Sequence, residues 1–244
     1  MTGPSVRDAP TFLIVLPAIS PTLAHTCVES MSPILRQQTF LIDNTGLGRI
    51  AHTHQTQVRW TLTPPRNLGV ASSWNAGVNA AQTVGANYLV IVSQSIRFGG
   101  QGGLDFLAAL TLRQDRPLLL MDAQFGWKLI ALATWTLDVV GGFDPIFDPA
   151  YFEESDVMYR MHLAGLASPW YNDRPGREQV VVDATSAGDA VAYKEGLVQL
   201  DYGMQAARYE LKWGGQPRDE RWTTPYGDPT LDFRFVGARE GQQA

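Results

Sequence analysis

The sequence predicts an α/β fold: an open, mostly parallel twisted sheet with helices on both faces, followed by a long C-terminal helix and an extended tail. Three features of the chain point to this fold. Strand-like runs alternate with helical ones through the first two thirds of the 244 residues, the pattern of successive β-α units. The run Tyr88 to Ser93 is apolar almost throughout, as a strand buried on both faces is. Cap and stop residues punctuate the alternation at Ser20-Pro21, Ser72 and Gly85.

Thr11 to Pro17 forms the first strand, and Ser20-Pro21 opens the helix after it with a cap residue ahead of a first-turn proline. Thr39 to Asp43 and Val58 to Thr63 are the second and third strands. Ser72 opens a helix running through Trp74, Val78 and Ala81 to a stop at Gly85. Tyr88 to Ser93 is the fourth strand, Leu104 to Leu112 a helix, and Pro117 to Met121 a further strand. A helix begins at the acids around Glu153 and ends at Gly165. Leu197, Leu200, Met204, Ala207 and Leu211 recur at spacings of three and four, predicting a long amphipathic helix over Ala190 to Lys212 that Gly214-Gly215 ends. Residues 1–215 are expected to form one domain, and 216–244, rich in Pro, Arg and aromatics, an arm packing on it or on a partner.

A net charge of −5 without a Lys/Arg run gives no broad positive field for a phosphate backbone, which disfavours nucleic acid as a partner. Cys27 stands alone, so no internal disulfide framework is expected and a reducing compartment fits. Phe12 to Ile19 lacks a basic flank and is interrupted by Pro17, unlike a signal peptide. Asp122, Lys128 and Asp138 divide the apolar stretch Leu118 to Val140 into pieces too short for a membrane span of roughly 20 residues. The expectation is a cytoplasmic protein with no membrane span, with homo-oligomerisation open.

In a parallel sheet the ligand sits beyond the carboxyl ends of the strands. Asp43-Asn44 ends the second strand; the pair suits reading a nucleobase edge, and equally suits a turn. Asn67 and Gly69 make a tight loop before Trp74, Asn75 and Gly77 on the first turns of a helix whose free N–H groups suit an anion. The segment "GGFDPIFDPAYFEESDVMYRMHLAG" brings Glu153, Glu154 and Asp156 to the start of a helix. The dipole favours each acid singly, but three carboxylates so crowded repel one another, which points to proton transfer. In "LKWGGQPRDERW", Lys212 suits a phosphate and Trp213 a ring; a helix C-terminus favours a lysine without any function as well. The histidines His25, His52, His54 and His162 show no metal-ligand spacing, and "HTH" is expected in an exposed loop.

The ordered set "FLIVLP", "LIDN", "NLGVASSWNAGVNAA", "NYLVIVSQS" and "GWKLIALATWTLDVVGGFDPIFDPAYFEESDVMYRMHLAGL" resembles the inverting, family-2 glycosyltransferases of the GT-A fold over about Phe12 to Leu166, and the late "KWGG" is similar to bacterial and phage members. The resemblance implies a UDP-, dTDP- or GDP-linked sugar donor and an acceptor that is a glycan, a protein or a modified base. By position it implies Pro17, Asp43 and Asn44 at the base, and Asn67, Gly69, Trp74 and Asn75 near sugar and diphosphate, with Ser93, Ser95 and Arg97 alongside. Trp127, Glu153, Lys212 and Trp213 would face the acceptor. Glu154 falls where the family motif has its catalytic Asp, and Asp156 matches that motif's last Asp. The implied reaction is single displacement, with Glu154 or else Asp156 as base.

Where relatives carry an Asp-x-Asp element for Mn2+ or Mg2+, this chain has Ser93-Gln94-Ser95, and neutral hydroxyls are poor ligands for hard cations. No metal site is therefore expected there, and three explanations stand open. Arg97, Lys212 or a tail arginine replaces the metal; Asp183 or Asp122 holds Mn2+ or Mg2+ in an altered site; or the chain is a catalytically silent nucleotide-sugar-binding or assembly module. The "FGGQGG" stretch lacks the lysine of a P-loop and is expected to be a hinge or lid. A dinucleotide oxidoreductase would need a glycine fingerprint after the first strand, where "LPAISPTLA" has none.

Overall fold

Alternation of side chains along the central strands splits the core into two layers, one on each face of a sheet. A computed structural model describes residues 11–112, 116–120, 126–166, 183–186 and 201–234. Its strands are β1 (Phe12–Ala18), β2 (Thr39–Asp43), β3 (Trp60–Leu62), β4 (Tyr88–Val92), β5 (Ile96–Phe98), β6 (Leu118–Leu120), β7 (Leu129–Ala133) and β8 (Ala184–Ser186). Its helices are α1 (Pro21–Ser30), α2 (Pro33–Arg36), α3 (Arg49–His54), α4 (Val70–Thr83), α5 (Leu104–Leu112), α6 (Thr134–Val140), α7 (Glu153–Leu163) and α8 (Tyr202–Trp213).

Six strands pair in the order β3-β2-β1-β4-β7-β6. β3, β2, β1 and β4 run parallel, while β7 runs antiparallel to both β4 and β6. Ile14 and Leu16 of β1 pack with α1, Leu35, Ile50 and α5 on one face; Leu13 and Val15 pack with α4, α6 and α7 on the other. This is the mostly parallel, two-faced α/β sheet expected from the sequence. Gly77 lets α4 lie directly on β1, since a Cβ there would fall 2.7 Å from the Val15 Cβ.

Several expectations need correction. β7 and α6 have no counterpart among the expected elements: "LIALA" passes into "TWTLDVV" without a breaker, so strand and helix merge into one apolar run. "HTH" lies on α3 rather than in an exposed loop, and its His54 is buried. α4 starts at Val70 behind Gly69, two residues before the expected cap Ser72. Of the helix expected over Ala190 to Lys212, the described part is Tyr202–Trp213, and Asp201 before it is extended and caps it by accepting from Met204 N at 2.9 Å. Its earlier stretch, 190–200, lies outside the described residues. Around the Gly-rich turn, Gly99 N donates to Asp183 O at 2.6 Å and Ser32 N to Gly102 O at 2.9 Å.

Residues 216–234 fold back on α7 and α8. Tyr159 Oη donates to Trp222 O at 2.8 Å, and the N–H groups of Arg221 and Trp222 bond to Trp213 O. No described helix is long and apolar enough to cross a membrane.

Candidate functional site

A cleft of about 350 Å³ opens where the parallel strands end. Pro17, Ala18 and Ile19 after β1 line it from one side and Ile91 to Ser95 at the end of β4 from the other. These two strands diverge at the topological switch point, since β2 lies to one side of β1 and β4 to the other. Leu23, Asn44, Asn67, Gly69, Val70, Trp74, Trp127, Lys128, Pro149, Ala150, Tyr151, Glu153 and Glu154 complete the wall.

The acidic loop reaches this cleft because it is docked on the start of α4. Val70 N donates to Pro149 O at 2.9 Å, and Ser72 donates through both N and Oγ to the Asp148 carboxylate. Gly69 makes the contact feasible, for with φ +87° a Cβ there would stand 2.3 Å from Asp148 Oδ1. Beyond the cis Asp148-Pro149 bond, Tyr151 and Phe152 both take positive φ, 82° and 73°. Two aromatic residues held in that region store backbone strain of order 1–3 kcal/mol each. They turn the chain so that α7 starts with Glu153 and Glu154 against the cleft.

Glu153 is 5% exposed and its Oε2 is buried without a hydrogen-bond partner among the described residues. Burial first, then the charges of Glu154 and Asp148, push its carboxyl well above the ordinary 4.5. Burial also raises Glu154, against the lowering effect of backbone hydrogen bonds at the helix start.

Asp156 differs from both. It is fully buried and does not line the cleft. Arg160 Nε and Nη2 donate to its Oδ2 at 3.0 and 2.8 Å, while Trp213 Nε1 at 2.8 Å and Lys212 Nζ at 2.6 Å reach Oδ1. Burial disfavours its charge, but Arg160 and Lys212 outweigh burial and hold the carboxyl below its ordinary 3.8. Lys212, 3% exposed, also pairs with Asp144 at 2.8 Å, and Arg160 donates to the carbonyls of Val140 and Gly142. The network joins α6, α7 and α8 behind the cleft, so Asp156, Lys212 and Trp213 stand apart from the acids that face it.

The remaining expected residues divide similarly. Pro17, Asn44, Asn67, Gly69, Trp74, Ser93, Ser95 and Trp127 share the cleft. Asn44 is fixed by Nδ2 donating to Ser73 Oγ at 2.9 Å, and Trp74 stacks on Trp127 at 6.0 Å. Asp43 is fully buried outside the cleft, its Oδ2 accepting from Ile50 N and Ala51 N at the start of α3 and its Oδ1 from Thr45. Asn75 clamps Phe143 through N and O at 2.8 and 2.6 Å, also outside the cleft. Arg97 sits on the exposed side of β5. Sequence reasoning passed over Lys128, the one cation lining the cleft among the described residues; its position after Trp127 and just before β7 was the available signal.

The donor set at the end of β4 does not fit a hard cation. Ser93 Oγ and Ser95 Oγ bond each other at 3.0 Å, and Gln94 Oε1 accepts from Ile19 N and Ser20 N, both at 2.9 Å. Asp183 lies on the β5-β8 pair, where its carboxylate accepts from Gly100 N, and it does not line the cleft. Asp122 lies outside the described residues.

No protein-family profile matches the chain, and no curated protein matches it in sequence. Among solved structures, it is similar to a mannosyltransferase from Pyrobaculum calidifontis in complex with GDP-Man and Mn2+, at 15% identity and TM-score 0.50, over 71% of this chain and 56% of that one. TarS of S. aureus is similar at 10% identity and TM-score 0.51, over 80% of this chain and 41% of its own. The chain therefore spans about half the length of these neighbours and shares their fold.

Proposed function

We propose that the chain is a glycosyltransferase, transferring a sugar from a nucleotide-sugar donor to an acceptor hydroxyl by inverting single displacement. The observation that carries the reading is the meeting of Glu153 and Glu154 with Pro17, Asn44, Asn67 and Trp74 around one cleft at the sheet's switch point. The fold shared with a mannosyltransferase crystallised with GDP-Man supports the same reading.

Glu154 is the proposed base. It takes the proton of the acceptor O–H, the acceptor oxygen bonds the anomeric carbon, and the bond from that carbon to the diphosphate oxygen breaks on the opposite face. The leaving nucleoside diphosphate keeps the electron pair. Glu153, buried with an unpaired oxygen, would accept a hydrogen bond from the acceptor when ionised and give one when protonated. Asn44 and Pro17 would hold the base, and the Trp74-Trp127 stack would wall the sugar. Negative charge on the diphosphate would be met by Lys128 and by the Ser93 and Ser95 hydroxyls, fixed groups in a partly dry site. Lys212, already shared by two carboxylates, is unsuited to that task.

The absence of carboxylates at residues 93 and 95 favours one rival, a nucleotide-sugar-binding or assembly module without turnover. One experiment separates the two. Transfer or donor hydrolysis across a panel of UDP-, dTDP- and GDP-sugars is expected to persist in EDTA. Collapse of the rate in EDTA with recovery in Mn2+ would overturn metal independence, and binding without turnover across the panel would favour the module.

A further inference from the structure

Two histidines that are 29 residues apart in the chain meet in the fold. His25, on the exposed side of α1, stacks on His54 of α3 with ring centroids 5.5 Å apart and an interplanar angle of 30°. Glu29 follows one helical turn after His25, and the ligand atoms of His25, Glu29 and His54 all lie within 4.8 Å of one another. None of the three lines the cleft.

Gln57 orders the cluster from behind. Its Nε2 donates to Glu29 Oε1 at 2.9 Å, and its Oε1 meets His54 Nδ1 at 2.6 Å. An amide oxygen can only accept, so Nδ1 of His54 carries the proton and Nε2 keeps the lone pair. Holding one ring nitrogen in this way is how a protein sets the tautomer of a metal-binding histidine. His54, 1% exposed, is rigidly held, whereas His25 and Glu29 lie at the surface and can adjust. The second Glu29 oxygen makes only a long, exposed ion pair with Arg36 at 3.4 Å, an interaction of the kind that costs little to give up.

We propose that His25, Glu29 and His54 bind one divalent transition-metal ion of the zinc type, clamping α1 to α3. Two imidazoles and a carboxylate suit such borderline ions better than Mg2+ or Ca2+, which prefer all-oxygen shells. Bonds of roughly 2.0–2.2 Å in a tetrahedral site place ligand atoms about 3.4 Å apart. Modest rotamer changes at the two exposed side chains bring the cluster to that spacing. Water or a small ligand completes the shell.

Calorimetry of the full chain with Zn2+ tests the site. Saturable binding of one ion per chain is expected, with Mg2+ giving none at the same concentrations. His25→Ala is expected to remove the tight event, and Gln57→Ala, which touches no metal, to weaken it about 10- to 100-fold. Zn2+ is expected to raise the Tm of the wild type and leave that of His25→Ala unmoved. No saturable binding, equal binding of Mg2+, or binding unchanged in both variants would overturn the proposal. Because none of the three ligands lines the cleft, an effect of EDTA on transfer that arises here would be reproduced by His25→Ala without chelator, which keeps this inference separable from the proposed function.

Discussion

Glu154→Gln is expected to lower sugar transfer about 10²- to 10⁴-fold, the usual contribution of a positioned base, while donor affinity changes by no more than a few-fold. The amide keeps the size and most of the hydrogen bonding of the glutamate and loses the ability to take a proton. Burial has already set its carboxyl above the ordinary 4.5. A base works only when ionised, so the wild-type rate should rise with pH through that raised pKa and level off above it, and the variant should lose this limb. Product quantified by mass spectrometry across pH, with calorimetry of donor binding, checks both halves. Normal transfer by the variant would place the base elsewhere.

Asp156→Asn is expected to destabilise the fold strongly, by about 3–5 kcal/mol, the cost of leaving a buried partner charge uncompensated. The amide has one acceptor oxygen, so its donor must face either Arg160 or the Lys212 and Trp213 donors, and the negative charge opposite the fully buried Arg160 is lost. Lys212→Met should cost less, because Asp156 keeps Arg160 and Trp213. The network also makes an acid limb. A carboxyl whose folded pKa lies below its unfolded value stabilises the protein at pH above the unfolded value, near 3.8 for Asp156, and that contribution fades as pH falls through the lower folded one. Urea unfolding at neutral and acid pH measures each of these; equal stability of Asp156→Asn and wild type would contradict the structural role.

Much of the sheet is legible in the sequence because its signals are local. β2 occupies the expected residues, and β1 and β4 fall within one residue of them, since each is an apolar run bounded by polar or turn residues. The cleft residues Asn44, Asn67, Trp74 and Glu154 are legible because they sit in the loops and helix starts at the carboxyl edge of the sheet. The features that escape depend on partners far along the chain. Nothing near Asp156 announces Trp213 and Lys212, more than 50 residues away, so an acid that balances a buried arginine reads in the sequence as a cleft acid. Asp43 reads as a contact for the nucleobase; the cap it provides goes to α3, a short helix whose sequence carries no periodicity. The His25-His54 pairing arises only when α1 and α3 pack side by side on one face of the sheet.

A crystal soaked with UDP-, dTDP- and GDP-linked sugars decides whether the cleft holds a sugar donor against Glu154. A nucleotide sugar is expected in the cleft, with its base by Pro17 and Asn44, its diphosphate toward Ser93, Ser95 and Lys128, and its anomeric carbon on the Glu154 side. Nucleotide sugars that leave the cleft empty at saturating concentration, or that bind with the sugar turned away from Glu154, would contradict it.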